Sequence, residues 1–221
     1  MLKIDMHVHT RHSDSTGSVE EVLQVAQRKG LDGIAITDHN TLRGAYEALK
    51  RRPELIVIPG EEIKTLHGEI LAIGIKRAIP KDLSITEAIW RTHIQDGLAV
   101  IPHPTVPFFG RLPENSLRNL PIDGLEVFSV ITPLAEHFLE KNLKLAQRLG
   151  VARTAGSDSH SPETVGDAYT IVHSDSSDLK DILAAMRSGL TYVGGNPSKF
   201  AFKLRMVKGF LTHLLWDQYE S

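Results

Sequence analysis

Short runs of apolar, β-branched residues alternate with longer segments of helical period along most of this chain. That alternation constrains the fold more than any other feature. Leu2–Met6, Gly33–Thr37, Leu55–Ile58, Glu69–Ile75, Leu98–Ile101, Gly124–Phe128, Val151–Ala155 and Ala168–Val172 read as strands. Helices are expected over Ser18–Lys29, Leu42–Lys50, Ser84–Gln95, Pro133–Leu149 and Ser177–Arg187, and a short extended piece at Thr191–Val193. Two of these helices open on a capping-box pattern, Ser18 with Glu21 and Ser84 with Glu87. Continuous apolar strands separated by helices predict a parallel sheet covered by helices. At 221 residues the chain is long enough to close such a sheet into one α/β barrel.

Composition excludes several classes. A net charge of −2 provides no global field to recruit nucleic acid or an anionic membrane. With no cysteine there is neither a disulfide framework nor a thiolate metal site. The start, MLKIDMHVHT, has no apolar signal core, and no apolar run approaches a membrane span, so a cytoplasmic location is expected. Beyond Gly194-Gly195-Asn196-Pro197 the composition shifts. Phe202, Met206, Phe210 and Leu214 fall at helical spacing, while Phe200–Met206 also alternates as a short strand would. The expected division is a barrel over 1–195 and a C-terminal extension over 196–221, a helix with or without a preceding strand, packed on or beside the barrel.

Eleven histidines are unusual for this length, and their placement points to chemistry. His7, His9 and Asp14 follow the first strand, Asp38 and His39 the second, and Glu61 and Glu62 the third. His103 follows Leu98–Ile101, and Asp158 and His160 follow Val151–Ala155. In a parallel barrel all strands point one way, so these residues converge on one mouth. His7 and His9, two apart on a strand, share a face. About eight or nine candidate ligands exceed the three or four protein ligands that one ion takes, so two or three metals are expected, with a carboxylate such as Glu62 between them. Imidazole and carboxylate suit zinc, manganese or iron. His12, His67, His93, His137, His173 and His213 do not share the pattern and read as surface or supporting residues. Glu126, ending its strand toward the mouth, reads as support behind a ligand, and Asp38 as an orienting or capping group.

The pieces Asp5-Met6-His7-Val8-His9-Thr10 with Ser13-Asp14, Ile36-Thr37-Asp38-His39, Pro59-Gly60-Glu61-Glu62, Ile101-Pro102-His103-Pro104 and Gly156-Ser157-Asp158-Ser159-His160 resemble the PHP superfamily, the polymerase-and-histidinol-phosphatase phosphoesterases. They run in the family's order over about residues 1–195, and the closing segment from Thr191 resembles an extension seen in shorter members. The resemblance implies a distorted (β/α)7 barrel with up to three metals. One would be held by His7, His9, Glu62 and Asp158; a second by Glu62 and His103; a third by Asp14, His39 and His160. The family's Gly-X-Glu spacing from Gly60 selects Glu62 over Glu61. Where many short members read Gly-His, this chain reads Gly68-Glu69, so Glu69 is expected in place of an imidazole, with His67 nearby as a possible compensation.

The implied activity is hydrolysis of a phosphoester by metal-activated water. No Gly-Xaa-Ser-Xaa-Gly elbow or Walker loop is present in the sequence. Asp158 or His160 would relay a proton to the leaving group, and Arg111, Arg43 and Arg11 are the candidate phosphate-binding cations. The expected substrate is a small phosphomonoester or a short nucleotide or oligonucleotide, with no stable nucleic-acid partner and no membrane. Two rivals use the same ligands: a metallohydrolase acting on an amide or lactone, and a metal-binding regulatory module without turnover.

Overall fold

The computed structural model describes residues 1–105, 112–129 and 135–195. Arg111 and the segment 196–221 lie outside the described residues, and so does the ambiguity over a helix or strand at Phe200–Met206. The described residues form nine strands: β1 (Leu2–Val8), β2 (Gly33–Ile36), β3 (Ile56–Thr65), β4 (Gly68–Ile73), β5 (Leu98–Ile101), β6 (Gly124–Ser129), β7 (Ala152–Gly156), β8 (Ala168–Val172) and β9 (Thr191–Gly195). Between them run α1 (Val19–Arg28), α2 (Arg43–Lys50), α3 (Ile85–His93), α4 (Glu114–Leu117), α5 (Ala135–Leu149) and α6 (Leu179–Arg187). No helix among the described residues is long and apolar enough to cross a membrane.

The sheet order is β7-β6-β5-β4-β3-β2-β1-β8-β9, and it curls until the ends meet in a nearly closed, distorted barrel. The expectation of an all-parallel sheet is corrected at two strands. β4 runs antiparallel to both β3 and β5, and β8 runs antiparallel to β1 and β9. The cause at β4 is local. Only Leu66 and His67 separate β3 from β4, which suffices for a hairpin but not for the dozen or more residues of a parallel crossover. β3 is therefore longer than the sequence suggested, carrying Glu61 and Glu62 within a ten-residue strand. The short α4 had no counterpart among the expected helices.

Apolar clusters fill the two sides of this sheet. α1 lays Val19, Val22, Leu23, Val25 and Ala26 against Ile34 and Ile36 of β2. At its start the expected capping box is complete. At α3 only half of it forms: Ser84 accepts from the Glu87 N–H, while the Glu87 carboxylate takes Arg91 one turn on. α6 buries Ile182, Leu183 and Met186 among Ile4, Met6, Ala35, Ile58, Leu71 and Leu98, closing the end of the barrel away from the mouth. Ile4 and Met6 belong to that cluster, whereas Val8 packs with α1 residues. The change falls at a register shift between Asp5 and Val8 in the pairing of β1 with β2, an irregularity of the kind that re-aims side chains beside functional sites.

The barrel closes where β1 meets β7 and the loop after it. His9 N–H donates to the Ser159 carbonyl (3.1 Å) and Asp158 N–H to the His7 carbonyl (2.8 Å). Asp5, buried beneath them, accepts from the Ser157 N–H (2.8 Å), the Ser157 hydroxyl (2.6 Å) and the Gly166 N–H (2.8 Å). A Cβ on Gly156 would collide with the backbone and Cβ of His7, so only glycine permits this approach. Gly156→Ala should therefore destabilise the protein by about 1–3 kcal/mol, the usual cost of overpacking. Chemical denaturation checks this, and an unchanged midpoint would mean that the seam tolerates an added methyl group.

Candidate metal centre

The strand ends deliver the expected ligands to one place. β1 carries His7, with His9 just beyond it and Asp14 on the following loop; His39 stands three residues past β2 and Glu62 within β3. His39 bridges to Glu62 as a continuation of the β2–β3 pairing, with Asn40 N–H donating to the Glu62 carbonyl (2.9 Å). His103 lies two residues past β5, and Asp158 and His160 two and four past β7. Glu69 reaches the same mouth because β4 is reversed: its beginning lies where its neighbours end.

Three overlapping groups of side chains have ligand atoms within 4.8 Å of one another: His7, His9, Glu62 and Asp158; His9, Asp14, His39 and His160; Glu62, Glu69 and His103. In the first, His7 Nε2 and His9 Nε2 stand 3.0 Å apart. Glu62 Oε2 lies 3.2 and 3.3 Å from them, and Asp158 Oδ1 3.4 and 3.2 Å. Four ligands held tetrahedrally at about 2.0–2.1 Å from an ion stand about 3.3 Å apart, so these donors surround one point at a metal's spacing. Glu62 divides its oxygens. Oε2 faces His7, His9 and His39 Nδ1 (3.3 Å), whereas Oε1 faces His103 Nε2 (3.5 Å). Glu69 Oε2 lies 3.9 Å from that same nitrogen. On the other flank, Asp14 Oδ2 lies 3.0 Å from His160 Nε2 and 3.5 Å from His39 Nε2. The buried His9 Nδ1 makes no hydrogen bond and sits 3.9 Å from Asp14, where an ion held by that carboxylate would meet it once the ring gives up its proton. Donor types, spacing and this buried nitrogen all fit divalent ions.

Further residues hold the donors in place. Glu126 accepts from His7 Nδ1 at 3.1 Å with one oxygen and from the His103 backbone N–H at 3.1 Å with the other, so His7 turns Nε2 into the cluster. Asp38 accepts from the Thr10 backbone (2.6 Å), the Thr10 hydroxyl (2.8 Å) and the Ser13 hydroxyl (2.9 Å), shaping the loop that presents Asp14. His103 and Asp158 adopt positive φ, 29° and 51°, a strained backbone that costs on the order of 1–3 kcal/mol each and clusters at functional sites.

Without an ion the imidazoles and carboxylates answer one another. Burial alone would lower His9, but Asp158, Glu62 and Asp14 outweigh it and hold its pKa at about 10. The same contest, decided by Glu62 with Asp158 and Glu69, holds His103 at about 9. Burial opposes ionisation of Asp158 and Glu62, yet the facing imidazoles, His7 foremost, push both below the usual carboxylate range. Glu69 moves the other way, raised to about 6 by burial and then by the neighbouring Glu62 charge.

Of the other histidines, His12 pairs with Glu47 (2.8 Å), His93 with Asp123 (2.7 Å), and His173 lies tilted against the Tyr192 ring. His67 is exposed in the β3–β4 turn and joins none of the three groups, so it does not compensate for Glu69. Arg11 and Arg43 are exposed on the segments that leave β1 and β2. Sequence reasoning passed over Asp5 and Ser157. An Asp in an apolar strand, two residues before His7, was the available signal for the first; nothing in the spacing marked the second.

Residues 5–88 match the PHP domain model and residues 136–191 the PHP-associated model. The chain belongs to the PHP family. An uncharacterized protein of Methanocaldococcus jannaschii is 39% identical over 141 residues, covering 58% of this chain and 82% of that protein. A phosphoribosyl 1,2-cyclic phosphate 1,2-diphosphodiesterase from Eggerthella lenta is 32% identical over 84 residues, 34% of this chain and 32% of its own length. The fold is shared with a crystal structure of a two-domain Bacteroides vulgatus protein containing a predicted PHP-like metal-dependent phosphoesterase. That likeness has a TM-score of 0.76 at 19% identity, covering 93% of this chain and 68% of the other. Both PHP models fall on strands that supply the cluster, β1 to β4 in one and β7 in the other.

An ion takes the neutral imidazole, and at pH 7 both His9 and His103 lie well below their pKa values and carry a proton. Loading must therefore expel protons, and apparent affinity should rise with pH until about 10. Calorimetric titration of ion-free protein with zinc in two buffers of different ionisation enthalpy checks this. Buffer-independent heats would show that the rings are already neutral.

Proposed function

We propose that this PHP protein hydrolyses a small phosphomonoester, or a short nucleotide or oligonucleotide phosphoester, using two or three divalent ions of zinc, manganese or iron. The observation that carries the reading is Glu62, which turns one oxygen to each of two adjoining donor groups and so can join two ions at short range. The Eggerthella lenta relative, named as a diphosphodiesterase, supports a phosphoryl substrate. A phosphoryl group with several anionic oxygens also uses closely spaced cations better than a neutral amide does.

The residues take the following roles in this proposal. His7, His9, Glu62 and Asp158 hold the central ion; Asp14, His39 and His160, with His9 Nδ1 beside them, hold one flank; Glu62, Glu69 and His103 hold the other. Ions bound there would supply an activated water and positive charge against the phosphoryl oxygens. Glu126 fixes the His7 tautomer so that its Nε2 lone pair faces inward. The central donors are buried, whereas Asp14, His39, Glu69 and His160 are partly open to solvent, so substrate would approach along that rim. His160 stands at the rim with Nδ1 3.0 Å from the Asp158 carbonyl. When its Nε2 is not bound to an ion, it is better placed than the buried Asp158 side chain to pass a proton to the leaving oxygen. Arg11 and Arg43, and Arg111 outside the described residues, are the cations proposed to meet the phosphate.

Two experiments test this reading. In oxygen-18 water, a phosphoester panel run beside an amide and lactone panel should place label in phosphate. Turnover of carbonyl substrates alone would transfer the protein to the rival hydrolase class, and silence on both panels would favour the regulatory module. His9→Ala should lower activity by more than about 100-fold, since even a partner behind a ligand is worth about 10–100-fold. His93→Ala, which removes only the pair with Asp123, should change it little. Equal losses in both variants would mean that the converging histidines have been misassigned.

A further inference from the structure

The three donor groups differ in chemistry. The rim group of His9, Asp14, His39 and His160 offers three imidazoles and one carboxylate, and the central group two of each. The group of Glu62, Glu69 and His103 offers two carboxylates and a single imidazole. It also has three protein donors where the others have four, which leaves coordination positions for water or substrate. Its Glu69 carboxylate, 19% exposed, comes from the first residues of a strand that starts at a two-residue turn on the mouth. Imidazole-rich sites favour zinc and iron over manganese by a wide margin, whereas carboxylate and water ligands narrow that margin.

We propose that Glu62, Glu69 and His103 form an exchangeable, oxygen-rich site that takes manganese, while the two imidazole-richer groups retain zinc or iron, making the mouth a mixed-metal centre. This rests on reading the mouth as a metal centre and adds which ion each part selects. Glu69 sets the difference. Among the described residues it is the one side chain that belongs to this group and to neither of the others, besides His103, and His103 is the group's sole nitrogen donor. An imidazole at position 69 would give the site two nitrogens and one oxygen and shift its preference toward zinc.

The test uses the full chain and the metals themselves. Ion-free protein is dialysed against manganese in large excess over limiting zinc, and bound ions are counted by elemental analysis and by the manganese electron paramagnetic resonance signal. Wild type should hold about one manganese beside about two zinc ions per chain, and Glu69→His should lose most of that manganese and gain zinc, a change in the bound ratio of about tenfold. Glu69→Gln, which keeps the side chain's shape without its charge, should lose the manganese and keep the other two ions. Three ions with a manganese-to-zinc ratio that Glu69→His leaves unchanged would overturn this inference and spare the metal reading. Fewer than two ions under every loading condition would overturn both.

Discussion

Everything at the mouth depends on the contact that brings β1 against the far end of the sheet. β1 supplies His7 and His9, the segment after β7 supplies Asp158 and His160, and five strands separate β1 from β7 in the sheet order. They meet because a glycine at 156 lets the backbones approach and because buried Asp5 gathers three donors from Ser157 and Gly166. Holding that carboxylate away from water pushes its pKa up to about 6 in spite of those hydrogen bonds. The closure is thus made with a charge that would rather be solvated, stabilised by donors that have no other partner of equal strength.

The same economy governs the donors themselves. Seven of the nine candidate ligands have their pKa values displaced in directions that pair positive rings with negative carboxylates, so the ion-free mouth is internally neutralised rather than repelled apart. Glu69 is displaced the other way, by burial and by the charge of Glu62. A carboxylate that its neighbours disfavour is one that gains most when a cation arrives, and it stands on the least nitrogen-rich side of the cluster. The strained φ values at His103 and Asp158 belong to the same picture: the backbone gives up comfort where donor direction matters.

Much of this was legible in the sequence, for a definite reason. Strand-end placement turns a linear spacing into a spatial one, so His7, His9, His39, His103, Asp158 and His160 could be assembled from strand positions, and Glu126 could be placed behind them; Glu62 was separated from Glu61 only by the resemblance's Gly-X-Glu spacing. Strand direction was not legible at β4. Apolar runs look alike in either direction, and the sign that decides is the length of the connection, two residues at Leu66-His67. The irregular pairing of β1 was equally hidden, since the register of a strand against its neighbour is set by backbone hydrogen bonds that composition does not encode. Asp5 and Ser157 escaped notice because they hold the frame rather than the ions.

The reversed β4 also makes one part of the mouth adjustable in a way the rest is not. The ligands at the ends of β1, β2, β5 and β7 are each followed by a long connection, and moving one means rebuilding a loop. Glu69 instead sits four pairs from Ile73 along a hairpin whose register is copied residue by residue, from Gly60 opposite Ile73 to Thr65 opposite Gly68. Lengthening both arms by one residue would turn the opposite face of β4 toward the ions, and lengthening by two would restore the face about 6–7 Å farther out. The hairpin therefore acts as a ruler, on which the identity and reach of one donor are changed in whole steps without disturbing the other strands.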